Sequence, residues 1–208
     1  MGAPQASNPG CVKVEFFKTY LRYHPFQKYL FLFLFLSALP IFILFALHDV
    51  CVGLFFSVPY YIVVGLALYF RRNWVKDHFF EGDTNPGVVV SLNPMLIAVS
   101  ADLVFNSPDE WPVIKIIRYE LPMIAGKEPK LGTRVATVAL YNGYLDRERL
   151  SNVYPIPVEC ATDNVKTQRR CLRQIPASDW QRLKEDLRYV PTPYYPGLYK
   201  IWEYWEED

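Results

Sequence analysis

The clearest pattern in the sequence is a long apolar stretch in its N-terminal third. Between residues 29 and 70, 34 of the 42 residues are hydrophobic, and the single charged residue is Asp49, next to His48. This polar pair divides the stretch into runs of 19 residues (29–47) and 21 residues (50–70). As helices at 1.5 Å per residue, the runs would each span roughly 30 Å, the thickness of a bilayer core. We therefore predict a two-helix transmembrane hairpin over 29–70.

Two other interpretations of this stretch stay open. One is a buried helical hairpin in a soluble protein, although a domain of this length has little surface with which to cover so many apolar residues. The other is a hairpin that enters and leaves the same leaflet, because Pro40 and Pro59 lie at similar depths and proline kinks helices. Both membrane versions leave the two termini on one side.

Basic residues predict which side that is. Seven Lys or Arg residues precede the first run or follow the second, and the connecting turn has none. By the positive-inside rule, both termini lie in the cytoplasm. The same side chains are candidate lipid contacts: Lys13, Lys18, Arg22, Lys28, Arg71, Arg72 and Lys76.

Residues 1–28 form a basic N-terminal segment with two interpretations. Apolar side chains recur at positions 16, 17, 20 and 21, beside a basic pair at 18 and 22. This spacing is typical of an interfacial helix that lies on a membrane surface, ended here by Pro25. An unstructured basic segment is the alternative.

After the hairpin the pattern changes to short β-type runs. Residues 71–86 are predicted to be a juxtamembrane linker, because the turn-type sequence 83–87 overlaps their C-terminal end. Strands are predicted over 88–92, 95–99, 103–105, 113–119 and 133–141, with a weaker one over 156–161. One late helix is predicted over 178–190, where Ser178 and Gln181 match a capping box. The fold class is thus a membrane-anchored α+β protein, with a mainly β domain (87–190) built as a small barrel or curled sheet.

The C-terminal residues 191–208 are a tail rich in proline and aromatic residues. An extended segment that covers its own domain is one interpretation, and anchoring at the membrane interface is another. A third is a docking strip for a partner protein, since Tyr and Trp dominate binding hot spots. The candidate partner-binding residues are Tyr194, Tyr195, Tyr199, Trp202, Tyr204 and Trp205.

Overall composition averages two unlike parts. The 208 residues are 51% hydrophobic and 21% charged, with a net charge of +1. Residues 1–78 hold seven basic and three acidic residues, whereas 79–208 hold fifteen basic and eighteen acidic ones. These values argue against a disordered chain, a disulfide scaffold and a strongly basic nucleic-acid binder. We expect no nucleic-acid partner.

The sequence contains few residue patterns typical of a catalytic site. All three histidines, His24, His48 and His78, lie in or beside the membrane segment, so the β-rich domain alone offers no histidine-dependent site. Cys160 and Cys171 lack metal-binding spacing and are interpreted as free thiols. No phosphate-binding glycine motif occurs. We predict no catalytic, cofactor-binding or metal-binding residue, and no cofactor.

Two polar features of the soluble part have open interpretations. Asp102 lies in an otherwise apolar stretch, either in a turn or as an acid with a raised pKa and a functional role. The most basic soluble stretch is either an exposed loop or a contact with anionic lipid heads. Its residues are Lys166, Arg169, Arg170 and Arg173.

The favoured function is that of a non-catalytic, membrane-anchored accessory, assembly or scaffold protein with a cytoplasmic β-rich interaction domain. Its partners would be the lipid bilayer and another membrane protein or larger membrane complex. One alternative is a membrane-tethered enzyme that uses carboxylate or lysine chemistry, led by Asp102. A third hypothesis is a module that senses the lipid surface.

Overall fold

The computed structural model describes residues 8–47, 50–103, 111–144 and 150–205. It shows a mixed fold of helices and one antiparallel sheet. The helices are α1 (Leu21–Tyr23), α2 (Pro25–Ala46), α3 (Val50–Glu81), α4 (Val165–Gln174), α5 (Ala177–Asp186) and α6 (Trp202–Trp205). The strands are β1 (Asp83–Leu92), β2 (Met95–Asp102), β3 (Pro112–Arg118), β4 (Arg134–Tyr144), β5 (Leu150–Pro157) and β6 (Gly197–Lys200).

The helices α2 and α3 lie antiparallel and in contact. Tyr60 of α3 donates a hydrogen bond to the carbonyl of Leu34 (2.9 Å), and Arg71 of α3 donates one to Gln27 (3.3 Å). Among the described residues, one helix, Val50–Glu81, is long and apolar enough to cross a membrane, judged by length and composition. Its 32 residues extend over about 48 Å.

The sheet has the strand order β5-β4-β1-β2-β3-β6, and all neighbouring strands are antiparallel. Lys115 of β3 nevertheless donates a hydrogen bond to Asn152 of β5 (3.0 Å), although three strands stand between them. A flat sheet would hold these two strands about 19 Å apart. The sheet is therefore strongly curled, as a half-barrel. This confirms the curled-sheet version of the prediction rather than the closed barrel.

Both faces of the sheet are covered. In β2, Ile97 and Val99 belong to the main core, which lies against the N-terminal segment and the end of α3. The alternate residues Leu96 and Ala98 belong to a second cluster that includes α5 and the C-terminal segment. Because both faces are buried, the strand sequences alternate only imperfectly between apolar and polar residues.

The structure has no linker between α3 and the sheet. Residues 71–81 continue α3, because Val75, His78 and Phe79 are fully buried against the domain at helical spacing. Residues 83–87, predicted as a turn, are the first half of β1 and pair with β4. Pro86 is tolerated there because the pairing of β1 with β2 begins only at Gly87.

The N-terminal segment packs into the domain. Phe16, Tyr20 and Leu21 are buried in the main core, although Phe17 is exposed. Residues 16–20 form a single π-helical turn that continues into α1. Most of the apolar positions expected to face a membrane surface thus contact the protein's own core.

The basic stretch around residue 170, one interpretation of which was an exposed loop, forms helix α4. Its N-terminus is capped by the Asn164 side chain, which accepts hydrogen bonds from the backbone of Lys166 (3.0 Å) and Thr167 (3.3 Å). Gln168 and Cys171 are its buried residues. Its apolar residues Val165, Cys171 and Leu172 lie on one side of the helix, but the charged residues between them favoured the loop interpretation.

Two smaller differences concern element bounds. Helix α5 begins at Ala177 after Pro176, and the hydroxyl of Ser178 donates to Asp179, so the predicted capping box does not form. A 3-10 turn at Leu187–Tyr189 follows α5. The weak strand predicted over 156–161 is wrong in position, because β5 ends at Pro157 and a 3-10 turn follows. Of the short strand predicted over 103–105, the last two residues lie outside the described part.

Candidate functional site

A cleft of about 410 Å³ lies between the end of α3, the N-terminal segment and the curled sheet. Its polar lining comes from parts of the chain that are distant in sequence. The main contributors are Tyr20, His24, Arg71, Trp74, Lys115 and Tyr119. Pro155 and Ile156 of β5 add apolar surface. A pocket of this size that combines apolar walls with a few polar groups is typical of a small-ligand site.

Helix α3 supplies one wall of the cleft. Arg71, Trp74 and His78 are spaced three and four residues apart, so they lie on one face of the helix. His78 is fully buried, and its Nε2 lies 2.9 Å from the carbonyl oxygen of Val138. It therefore joins the helix to the sheet, while Arg71 and Trp74 are more accessible.

Arg71 is held by neutral partners. Its Nη2 donates to the hydroxyl of Tyr20 (3.0 Å) and its Nε donates to Oε1 of Gln27 (3.3 Å). The guanidinium also lies over the Trp74 ring, 4.4 Å from the ring centroid. These contacts orient the guanidinium but do not neutralise its charge.

His24 joins the N-terminal segment to the sheet. Its Nδ1 lies 2.9 Å from the carbonyl oxygen of Tyr20, which can only accept, so Nδ1 carries the hydrogen. The other nitrogen, Nε2, is then the acceptor for the Tyr119 hydroxyl at 3.4 Å. Burial lowers the pKa of His24 and raises that of Tyr119, so both groups are neutral near pH 7.

Lys115 faces the cleft from the middle of β3. Its Nζ donates to Oδ1 of Asn152 (3.0 Å) and lies 5.9 Å from the centroid of the Tyr154 ring. Partial burial lowers the pKa of this ammonium group. The group is thus partly desolvated, and its hydrogen-bond partner is neutral.

The charge of the cleft is one-sided. Its twelve described lining residues include Arg71 and Lys115 but neither Asp nor Glu. The two cations come from different walls, one from a helix and one from the sheet. A cleft of this kind favours an anionic ligand.

The predicted lipid contacts have different surroundings. Only Arg71 among them lines the cleft. Lys18 and Arg22 form ion pairs with Asp163, at 3.3 and 3.4 Å.

The arginines of α4 donate hydrogen bonds to backbone carbonyls. Arg170 donates to those of Gly10 and Cys11, Arg169 to that of Ala125, and Arg173 to that of Arg169. Lys13, Lys28, Arg72 and Lys166 are exposed, and Lys76 is half-buried.

The C-terminal tail extends the sheet. Its residues Gly197–Lys200 form β6 on the edge of β3. Tyr194 and Tyr199 pack on the second core cluster, and Trp202 packs on a third cluster, edge-on to Trp111 with ring centroids 4.9 Å apart. Tyr195 is 64% exposed. The predicted contacts of the Tyr204 and Trp205 side chains lie outside what the structure describes.

The contacts of Asp102 are structural. Its Oδ1 accepts a hydrogen bond from the backbone N–H of Trp111 (2.9 Å), and its Oδ2 lies 3.7 Å from Arg182 of α5. It closes the end of β2 and does not line the cleft. Burial raises the pKa of the Cys160 thiol, which argues against a nucleophilic role for it.

Glu159 is a buried acid that the sequence pattern did not single out. Its Oε1 accepts a hydrogen bond from the backbone N–H of Ala125 (3.3 Å), and Oε2 has no partner among the described residues. Ala125 and Gly126 both have positive φ, 49° and 79°, so this carboxyl group supports a tight turn. Burial raises the pKa of Glu159 to about 7.

The cleft residues were largely missed from the sequence. The β-rich domain has no histidine of its own, but His24 and His78 from neighbouring segments both pack against the sheet. For Lys115 the sequence held one signal, because it and Arg118 are the two charged residues in the mostly apolar predicted strand 113–119. The described residues contain no group of three His, Cys, Asp or Glu side chains placed to hold a metal ion.

Comparison with known proteins identifies a family. Residues 71–190 match the model of a family described as "Protein of unknown function (DUF3239)". The match covers more than half of the chain, which therefore belongs to this family. No curated protein matches the chain. A crystal structure described as that of "a putative membrane protein from Corynebacterium diphtheriae" is similar over 57% of this chain and 99% of its own, with 20% identity and a TM-score of 0.47.

Proposed function

We propose that this DUF3239-family protein is a non-catalytic, membrane-anchored accessory protein. In this proposal the α2–α3 hairpin crosses the bilayer twice and holds the β-rich domain at the cytoplasmic face. The observation that carries the proposal is the exposure of apolar side chains along both helices. In the most apolar 18-residue window of α3, only 6% of residues are buried within the molecule.

The exposed side chains are large. Phe33 of α2 is 67% exposed, and Phe55 and Val63 of α3 are 73% and 64% exposed. Soluble proteins expose single apolar residues but rarely a continuous apolar surface of this extent. A bilayer core supplies the apolar environment that the protein itself does not.

The continuity of α3 determines where the domain would sit. The helix passes without a break from its exposed apolar part to Val75 and Phe79, which are buried in the domain. Residues 71–81 add only about 16 Å of helix. The domain would therefore lie directly against the lipid headgroups rather than on a flexible tether.

Charges and aromatic residues support the orientation. Lys28 and Arg72 are exposed at the domain end of the hairpin, where the positive-inside rule expects cytoplasmic basic residues. Tyr29 and Tyr69, 63% and 56% exposed, lie at the same level and match the aromatic residues common at membrane interfaces.

The proposed partner is another membrane protein or a larger membrane complex. The lipid-facing sides of α2 and α3 offer the broadest surface for such contacts. The tail is a weaker candidate than its composition indicates, because Tyr194, Tyr199 and Trp202 pack on their own domain. Tyr195 is the described tail aromatic that stays available.

Cysteine labelling from each side of the membrane tests the topology. Cys11 is exposed on the domain side, and Leu47, 82% exposed, lies at the far end of α2. In a Cys51→Ser background, a membrane-impermeant maleimide should label Cys11 from the cytoplasmic side and Leu47→Cys from the opposite side. The matched control lacks each reporter (Cys11→Ser, or Leu47 unchanged). Labelling of both positions from the same side would contradict two full spans.

A further inference from the structure

We propose that the cleft at the end of the hairpin binds the anionic headgroup of a membrane lipid, with Arg71 and Lys115 as its cationic contacts. This inference rests on the proposed membrane anchoring, because the lipid must reach the cleft from the adjoining leaflet. It concerns a different set of residues from the basic surface side chains that the sequence indicated.

The cleft lies at the depth where headgroups would be. Arg71 directly follows the apolar run that ends at residue 70, and Phe70 is 64% exposed. Trp74, one turn further, lines the cleft and is 44% exposed. Tryptophan and arginine are both favoured at the boundary between hydrocarbon and water.

Both cations have hydrogen-bonding capacity left. Arg71 uses Nη2 and Nε for Tyr20 and Gln27, so within the described residues its Nη1 makes no hydrogen bond. Lys115 uses one of its three ammonium hydrogens, for Asn152. Neither cation has a carboxylate within ion-pair distance in the described part of the chain. Because both residues line the same cleft, an anionic headgroup bound there could accept hydrogen bonds from them.

The apolar part of the cleft favours a lipid over a free anion. Ile117, Pro155 and Ile156 line it together with Trp74. These side chains offer nothing to inorganic phosphate, but they suit the glycerol and first acyl carbons of a lipid. A volume of about 410 Å³ accommodates a headgroup while the acyl chains stay in the bilayer.

Native mass spectrometry of the full chain in detergent tests this directly. We expect saturable binding of one phosphatidylglycerol per chain, and binding of phosphatidylcholine at least about ten-fold weaker. Soluble glycerol 3-phosphate should compete only at much higher concentration. Equal binding of the two lipids overturns the proposal. Competition by glycerol 3-phosphate at the lipid's own concentration overturns it too, in favour of a soluble anion.

Matched variants connect the binding to the cleft. Arg71→Gln and Lys115→Gln should each weaken phosphatidylglycerol binding about ten-fold, since a charge-assisted hydrogen bond is lost. Arg72→Gln and Lys166→Gln remove exposed charges outside the cleft and should change binding less than two-fold. Lys115→Arg, which keeps the positive charge, should retain most of the wild-type affinity for phosphatidylglycerol. Equal effects of Arg71→Gln and Arg72→Gln would show a diffuse surface charge instead of a site.

Two measurements separate this proposal from the anchoring proposal. Thermal unfolding of each variant shows whether its domain is folded. Lys115→Gln should leave the unfolding temperature unchanged, because it removes a half-buried cation that has no acidic partner. Lipid binding in detergent does not depend on the number of spans. If both cysteine reporters are labelled from the same side but the protein still prefers phosphatidylglycerol, the two-span topology alone is rejected. If the labelling fits two spans but the protein does not prefer phosphatidylglycerol, the lipid site alone is rejected.

Discussion

The two halves of α3 place similar side chains in opposite surroundings. In residues 50–70, Phe55 and Val63 are 73% and 64% exposed. In residues 71–81 of the same helix, Val75 and Phe79 are completely buried by the sheet and the N-terminal segment. The domain's core thus covers one face of the second half, whereas the first half stays mostly uncovered in the described part of the molecule. The uncovered apolar surface of the first half is the physical basis of the anchoring proposal.

The largest expected effect is on the buried half. Phe79→Ala should lower the free energy of unfolding of the domain by about 3–5 kcal/mol, because it leaves a cavity in the main core. The neighbouring Phe80 is 59% exposed, and Phe80→Ala should change it by no more than about 0.5 kcal/mol. Chemical denaturation in detergent, followed by tryptophan fluorescence, measures both. Similar losses for the two variants would contradict the division of the helix into faces.

In the exposed half of α3, an introduced charge should affect membrane insertion instead of domain stability. Val63→Lys should disfavour membrane insertion by roughly 3–4 kcal/mol while leaving the unfolding of the domain unchanged. The retained fraction after alkaline extraction of membranes reports insertion, and Val63→Leu is the control. If Val63→Lys leaves retention unchanged, this face does not contact lipid.

In the buried interior of the domain, Glu159 should make the free energy of unfolding depend on pH. Its pKa is raised from 4.5 to about 7 in the folded state, so the folded protein holds a proton that the unfolded chain has already released between these values. The stabilising effect is complete below about pH 4.5 and is lost as the pH rises through 7, a change of about 3 kcal/mol.

Glu159→Gln isolates this contribution. The difference in unfolding free energy between the wild type and Glu159→Gln should fall by that amount between pH 4.5 and 8, with the variant the more stable at high pH. Denaturation at several pH values gives the difference directly. A difference that does not vary with pH would show that the carboxyl group titrates normally.

The smallest expected effect concerns the polar contact within the hairpin. Tyr60→Phe removes the hydroxyl that donates to the carbonyl of Leu34 and lies 2.7 Å from Ser37. Polar contacts between membrane helices are worth on average about 0.6 kcal/mol, so association of α2 with α3 should weaken by about that amount. Forced helix separation in bicelles measures it, with Tyr61→Phe as the adjacent control. A loss above about 2 kcal/mol would indicate a larger structural role.

Local patterns predicted much of the architecture. The apolar runs over 29–47 and 50–70 fall within a few residues of α2 and the first part of α3, because continuous apolar sequence and the His48–Asp49 break are local signals. Four predicted strands correspond to β1–β4, since β-branched runs between turn residues are local as well. Helix α4 escaped prediction because its stability comes from the Asn164 cap and a narrow buried face.

The cleft could not be predicted in the same way. Residues 24, 71 and 115 are separated by more than forty positions each, and no spacing rule connects them. They meet because α3 continues past residue 70 and the curled sheet turns β3 toward it. The tail shows the same limit, since its aromatic composition indicates binding but not whether the surface bound is its own domain.

By itself, the sequence determined two apolar helices flanked by basic residues, a β-rich region and a charge balance that opposes nucleic-acid binding. These properties follow from composition and from the order of neighbouring residues. Tertiary structure alone decided that α3 enters the domain without a linker, that the N-terminal segment is core, and that Arg71 and Lys115 line one cleft. Such outcomes depend on which distant surfaces exclude water from each other, and local sequence does not encode that choice.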